Sequence, residues 1–264
     1  MLVRKQPTRI ALQFKPGRRA RRSKPELLPL AITWMGFTTS IARSRQTLCE
    51  ASDVRVEAYG HHVPAMGATL AQPDSIDLQP GTTVLVCRDK ASGQVVGTAR
   101  IQGNQPAPLQ IERSVDMPEA LTGQHLAEIT RLAIRPGADP LIRPMLVKAC
   151  YLYAVASQIR WLVIGARSPA LIRIYRGLGF ADLLGEGRQV PLAHAGGLPH
   201  SVLAFNVVAA ERTWHAARHS LYSFMVETFH PDLQLTAEPE FVEAGLDIPA
   251  APRPGGRPQL RKVA

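Results

Sequence analysis

Three charged residues interrupt runs that are otherwise apolar. Glu128 and Arg131 lie inside Leu126 to Arg135 (LAEITRLAIR), and Arg100 lies inside Gln94 to Gln102 (QVVGTARIQ). Both runs are rich in β-formers and read as strands. An ionised side chain is costly to bury alone, so these groups should pair with each other or face a cleft. In a cleft, a carboxylate raised by partial burial can take a proton near neutral pH. Guanidiniums offer planar forks to a substrate carboxylate. The spacing of three between Glu128 and Arg131 puts them on opposite faces of a regular strand, so a bulge between them is expected. A purely structural Glu–Arg pair at the sheet edge fits the same residues.

Other polar residues read one by one as ordinary. Arg55 precedes Tyr59 on a first helix, and Asp74 and Asp77 sit in a Pro-flanked loop of the kind that caps turns. His215 and His219 have helical spacing but no companion ligand, so they read as a polar face and no metal is expected. Ser168 and Ser201 lack the context of a hydrolase nucleophile. Cys49, Cys87 and Cys150 form neither a disulfide framework nor a metal motif, which points to a reducing, cytoplasmic setting.

The elements that must position these groups are readable in outline. Residues 43–62 read as a helix and 64–80 as a loop. Thr82 to Arg88 and Gln94 to Gln102 form a hairpin around Asp89-Lys90-Ala91-Ser92-Gly93. After the Glu128 strand, residues 140–159 read as a buried helix, with Asp139 as N-cap and Pro140 as first helical residue. Trp161 to Ala166 (WLVIGA) reads as a central strand. Ser168 caps a short helix through Tyr175, stopped by Gly177 and Gly179. A strand near Phe180, another over 201–207 and a long helix over 209–228 complete an α/β body, a mixed central sheet with helices on both faces. Trp214, Tyr222 and Phe224 should pack that helix on the sheet.

Of 264 residues, 31 are Lys or Arg and 21 Asp or Glu, a net charge of +10. Residues 1–26 hold nine of those bases against Glu26, leaving 22 bases and 20 acids over the remaining chain. The expected organisation is a flexible basic arm over 1–34, a folded domain over 35–247 and a Pro/Gly-rich tail over 248–264. The arm reads as a solvated tail, a start codon placed too early (Met35 opens more ordinary sequence), or an anchor for nucleic acid or a membrane surface. Without interleaved aromatics, nucleic acid is not the expected partner. The basic residues ahead of Leu27 to Ala42 also give a weak outline of an export signal, broken by Pro29. No stretch is apolar and long enough for a transmembrane helix.

Taken together, Arg55 with Tyr59, Asp74-x-x-Asp77, Gly97-x-x-Arg100 and Glu128-x-x-Arg131-Leu132 resemble the charged signature of acyl-homoserine-lactone (autoinducer) synthases. The set is closer still to their relatives, the FeeM-type long-chain N-acyl amino acid synthases, within the GNAT-like acyltransferase superfamily. Leu171 to Phe180 (LIRIYRGLGF) also resembles a late GNAT segment, and His61-His62-Val63 stands where autoinducer synthases carry a Trp context. The resemblance implies a GNAT-like fold and transfer of a fatty acyl group from an acyl carrier protein to an amino acid amine. Alternatives are an acyl-homoserine-lactone synthase or an acyl-CoA-dependent GNAT N-acyltransferase, and, in another class, a non-catalytic module with a nucleic-acid-binding arm. It implies that Glu128 takes the amine proton, that Arg100 and Arg131 hold the acceptor carboxylate, and that Arg55, Asp74 and Asp77 order the N-terminal segment over it. Tyr175 would protonate the leaving thiolate.

GNAT enzymes that use acyl-CoA hold its pyrophosphate on backbone N–H groups opening a helix. The equivalent turn here, Arg135-Pro136-Gly137-Ala138-Asp139-Pro140, has one Gly and puts a carboxylate in the anion's place. No cofactor is therefore expected to stay bound, and the phosphopantetheine thioester of acyl carrier protein is the expected co-substrate. Arg143, Lys148, Arg160, Arg167, Arg173 and Arg176 lie between Pro140 and Ala181 with no acid among them. That patch suits an acidic carrier protein, or is a solvated basic face. Membrane contact can come through the acyl product.

Overall fold

The computed structural model describes residues 31–60 and 69–235. The arm before residue 31, His61 and His62, and the Pro/Gly-rich tail lie outside the described residues. Strands β1 (Ala31–Ile32), β2 (Phe37–Ile41), β3 (Thr82–Asp89), β4 (Val95–Gly103), β5 (Leu126–Ile134), β6 (Trp161–Ala166), β7 (Ala181–Asp182), β8 (Gln189–Leu192), β9 (Leu198–Asn206), β10 (Thr228–Phe229) and β11 (Leu233–Gln234) are joined by helices α1 (Arg45–Gly60), α2 (Ile142–Ala156), α3 (Pro169–Gly177) and α4 (Val207–Ala216). The main sheet runs β11-β2-β3-β4-β5-β6-β9-β7, with β8 on β9, while β1 pairs with β10. β5 with β6 and β11 with β2 are parallel pairs, and the other neighbours in that sheet are antiparallel.

Strand alternation divides the core. Leu85, Cys87, Ala99, Ile101, Ala127 and Ile129 join α2 and α4 on one face, while Val84, Val86 and Val95 meet Leu48, Ala51 and Val54 of α1 on the other. Leu109, Ile111 and Leu121 extend the α1 side over β6 and β9 through Val163 and Val202. α2 can lie close on its face because position 97 is glycine: a Cβ there would stand 2.6 Å from Ile142 Cγ2. Helices thus cover both faces of a mixed sheet, as expected.

Several boundaries differ from expectation. β2, with its polar FTTSI sequence, was not visible as a strand; it pairs with β3 and places residues 37–41 inside the sheet. Pairing of residues 31–32 extends the folded body four residues ahead of Met35. α2 starts at Ile142, because Asp139 accepts the Leu141 and Ile142 N–H groups one turn early, through Oδ1 at 2.8 Å and its carbonyl at 3.0 Å. The final helix stops at Ala216, where Arg218 turns left-handed with φ 48°, and a π-helical turn over Ser223–Glu227 follows. Trp214 is buried in the core, whereas Tyr222 and Phe224 pack from that later turn. The reversal also takes His219 off the His215 helix, and no cluster of metal-ligating side chains occurs among the described residues. The Ser168 cap stands as expected, its Oγ accepting the Leu171 N–H at 3.2 Å.

Candidate active site

β5 and β6 are paired only from Leu126 opposite Trp161 to Ile129 opposite Ile164. Beyond that point β5 runs on to Ile134 and β6 to Ala166, and the strands part around a cavity of about 880 Å³. Thr130 and Arg131 of β5, Ile164 and Gly165 of β6, Tyr59 of α1, and Leu171 and Tyr175 of α3 line it, with Arg143 and Arg167 at its edges. The lining is mostly aliphatic with a few basic groups, which suits an acyl thioester better than a wholly polar ligand.

The expected irregularity in β5 is present, at Arg131 itself. Thr98 pairs with Ala133 but Arg100 with Thr130, so β5 carries one extra residue there. Arg131 takes φ 54°, a conformation L-residues adopt at a cost. Without the bulge, Arg131 would point to the α2 side with Ile129; with it, its Nη2 comes within 3.6 Å of Asp74 Oδ2.

On the α1 side a buried ionic network joins partners 22 to 57 positions apart in the chain. Arg55 Nη1 donates to Asp77 Oδ2 at 2.6 Å. Arg100 donates from Nη1 to Asp74 Oδ2 at 3.0 Å and Asp77 Oδ1 at 3.4 Å, and from Nε to Thr130 Oγ1 at 2.8 Å. Asp74 and Asp77 also cap the 3-10 turn Ser75–Leu78, which orients both carboxylates. The Asp74 carboxyl is held low against the cost of its burial by the Ile76 N–H and the Arg100 and Arg131 charges. Three guanidiniums thus face two carboxylates, and Nε and Nη2 of Arg55, Nη2 of Arg100 and Nε of Arg131 remain buried without partners. The Tyr59 hydroxyl closes this side by donating to the Leu132 carbonyl at 3.2 Å.

Glu128 is fully buried two residues before Thr130 on the same face of β5. Its Oε2 accepts the Ile111 N–H at 3.0 Å. Desolvation outweighs that bond and the Arg100 charge, and pushes the carboxyl up to about 7. Its Oε1 lies 3.2 Å from His194 Nε2, yet no aligned hydrogen bond forms, and Oε1 and His194 Nδ1 are both buried without a partner. Burial, with the charges of Arg131 and Arg100, holds His194 neutral, its pKa near 4. His194 was not anticipated. It sits in the 3-10 turn Ala193–Ala195, pinned by the Ala193 N–H on Ser114 Oγ at 2.9 Å and followed by Gly196 and Gly197 with positive φ.

The model of the N-acyl amino acid synthase FeeM family matches residues 50–202. The chain belongs to that family. A structure titled as FeeM, an N-acyl amino acid synthase from uncultured soil microbes, superposes with TM-score 0.54 and 19% identity, over 72% of this chain and 98% of that one. A CoA-dependent acyl-homoserine lactone synthase, BjaI, solved with SAM and isopentyl-CoA, superposes with TM-score 0.50 and 14% identity, over 74% and 93%. A search of curated protein sequences gave no match. At these identities the two structures speak for the fold alone, which is GNAT-like; the family match makes the chain an N-acyltransferase of the FeeM type.

In this FeeM-family chain the basic residues expected to dock a carrier protein separate into different environments. Lys148 is buried: its Nζ donates to the Phe224 and Thr228 carbonyls, each at 2.6 Å, and lies 3.0 Å from His230 Nδ1. It ties the last segment to α2 and has no place in a docking surface. Arg160 precedes β6 and so stands a strand length, about 20 Å, from Arg167. Arg176 is exposed but bound to Asp182 at 2.6 Å. Arg143, Arg167 and Arg173 remain near the opening, Arg173 on the outward side of α3, since Leu171 and Tyr175 face in. Tyr175 is buried, its phenol raised by desolvation, and it lines the cavity.

Proposed function

We propose that this FeeM-family protein transfers a fatty acyl group from the phosphopantetheine thioester of an acyl carrier protein to the α-amine of an amino acid. The observation that carries the reading is the surplus guanidinium charge beside the cavity. Of the three arginines, Arg131 lines the cavity, Arg55 and Arg100 add positive charge from the protein interior behind it, and an amino acid supplies a carboxylate at a fixed distance from its amine. Arg131, on the bulge, reaches toward that carboxylate, while Arg100 keeps the Asp74–Asp77 turn in position.

Amide formation needs a neutral amine, an aligned carbonyl and stabilisation of the tetrahedral oxyanion. Glu128 titrates in the range where a carboxylate can accept a proton from an ammonium. Tyr175 stays protonated, so it can give its proton to the departing thiolate but not act as a base. The carrier-protein donor is favoured over free acyl-CoA because Asp139 occupies the first N–H groups of α2, where a pyrophosphate would otherwise sit.

Lipids extracted from bacteria expressing the protein and read by mass spectrometry give acyl length and amine together; an N-acyl amino acid absent from the Glu128→Gln strain is expected. Purified protein supplied with acyl carrier protein or acyl-CoA decides the donor. Equal kcat/KM with both, or no amide from either, overturns this reading.

A further inference from the structure

β1 and β10 form a two-stranded ribbon apart from the main sheet, and it carries apolar side chains outward. Ile32 stands in register with Phe229, and partners in register project to the same face, so the two side chains are neighbours. Ile32 is 63% and Phe229 51% exposed, and Trp34, two residues further on, is 69% exposed. One exposed apolar residue is ordinary; three this close together make a patch. Polar contacts hold the backbone around it. The Thr33 N–H donates to the Phe229 carbonyl at 3.0 Å, and Lys148 Nζ to the Thr228 carbonyl at 2.6 Å. Buried Asp232 accepts the Met35 N–H at 2.8 Å and pairs with Lys90 at 2.7 Å, and Lys90 Nζ lies 5.6 Å from the centre of the Trp34 ring.

The basic arm joins the body at this ribbon. Lys15, Arg18, Arg19, Arg21, Arg22 and Lys24 place six bases in ten positions without an acid. From Lys24 to Ala31 the chain reaches at most about 25 Å. We infer that this end of the protein docks on an anionic lipid bilayer: the bases of residues 15–24 lie against the headgroup charge, and Ile32, Trp34 and Phe229 enter the interfacial layer beside them. The inference is independent of the reaction proposed above. A cluster of basic residues is attracted to anionic headgroups, and an indole beside apolar side chains suits the boundary between headgroups and acyl chains. Nucleic acid would answer the charge but leave Ile32 and Phe229 in water. A stable interface with a second copy needs about 20 residues a side, far more than this patch supplies. The contact is with the surface, since no helix among the described residues is long and apolar enough to cross a membrane.

The test mixes the full-length protein with vesicles of phosphatidylcholine alone or in equal parts with phosphatidylglycerol, and reads the bound fraction by flotation. Wild type should prefer the anionic vesicles at low salt and lose that preference as salt is added. Replacing Arg18, Arg19, Arg21 and Arg22 together by Gln should weaken binding by about 10²-fold or more, since each base is worth about fivefold at such a surface. Trp34→Ser, with every charge intact, should weaken it about tenfold, as should Ile32→Ser with Phe229→Ser. Tryptophan emission should shift to the blue on binding, and the shift should be missing from Trp34→Phe. No binding to anionic vesicles overturns the inference. So does wild-type binding by Trp34→Ser, because charge alone would then act. Duplex DNA that strips the protein from vesicles, and that the patch variants bind as wild type does, would assign the arm to nucleic acid and overturn it. A wild-type dimer in sedimentation that Trp34→Ser dissolves would overturn it in favour of an interface between copies. Should the Ile32 and Phe229 variant not fold, Trp34→Ser, at an exposed position outside β1, carries the same decision.

Discussion

The charged groups on the α1 side of β4 and β5 fall into two clusters a few residues apart, balanced in opposite senses. Around Arg131, three guanidiniums outnumber two carboxylates, so the cluster is a net positive clamp. Around Glu128, desolvation outweighs the backbone N–H groups and the Arg100 charge, and the carboxyl is pushed up to about 7 beside a neutral imidazole. The first cluster can hold an anion without moving protons. The second can move protons without holding charge. An amine acylation needs both, one for each end of an amino acid, and the β5 bulge is what lets a single strand serve both.

The largest effect should come from the proton-moving cluster. Glu128→Gln is expected to lower turnover by about 10²- to 10⁴-fold while KM for the acceptor changes little, since the clamp is untouched. The same variant reports on stability with a definite sign. The folded-state pKa of Glu128, about 7, lies above its ordinary value of 4.5. The folded protein therefore keeps a proton that the unfolded chain releases, and this stabilisation is complete below pH 4.5 and lost as pH rises through 7. Relative to wild type, Glu128→Gln should gain on the order of 2–3 kcal/mol between pH 4.5 and pH 8, measured by urea unfolding. His194 has the opposite shift, but it is present in both proteins and largely cancels from the difference. A gap that does not change with pH would mean Glu128 is ionised throughout, and the two clusters would then differ only in location.

The clamp is tested at Arg131, where stability and binding should separate. Arg131→Gly removes the guanidinium and relieves the left-handed backbone, so KM for the amino acid should rise about 10- to 100-fold while stability holds or increases by roughly 1 kcal/mol. Arg131→Ala should show the same KM with lower stability. If KM is unchanged in both, the surplus charge serves the fold and not the acceptor.

Much of this arrangement is legible in the sequence because charge inside an apolar strand is a strong signal: Arg100, Glu128 and Arg131 stand out, and their odd spacing already demands the bulge. Local chemistry also marks the Ser168 cap and the Asp89–Gly93 hairpin. What escapes is whatever depends on distance in the chain. His194 lies 66 positions from its partner in a short AHAGG turn without periodicity, and only the paired glycines mark it as a fixed turn. Lys148 reads as a surface base because its partners, the carbonyls of residues 224 and 228, are invisible in side-chain types. The last helix is overextended because apolar spacing continues through Tyr222 and Phe224 although the backbone reverses at Arg218. β2 lacks apolar alternation and is a strand because β3 and β11 flank it.

Lys148 sharpens the contrast from a third position: a buried charge whose hydrogen-bonding needs are met. Lys148→Met should leave acyl transfer intact and cost about 1–3 kcal/mol, the penalty for two carbonyls deprived of their donor. Thermal unfolding with activity measured below the transition distinguishes this from Arg131→Gly, which is to lose binding rather than stability. Loss of activity at full stability would give Lys148 a place in the site that its burial argues against.

The smallest effect is expected at the surface, where charge is screened rather than enclosed. Arg167 and Arg173 are exposed and are not held in ion pairs among the described residues, unlike Arg176 on Asp182. Reversal of both to Glu should raise KM for acyl carrier protein several-fold at low salt and leave kcat and the acceptor KM unchanged. Because the Debye length falls to about 3 Å at 1 M salt, the difference from wild type should fade as salt is added. Added salt should not rescue the Arg131 variants, whose missing charge acts from within the protein, and that asymmetry is the measurement that separates steering from clamping. A KM for acyl carrier protein that ignores both reversal and salt would remove the basic opening from the account and return the donor question to acyl-CoA.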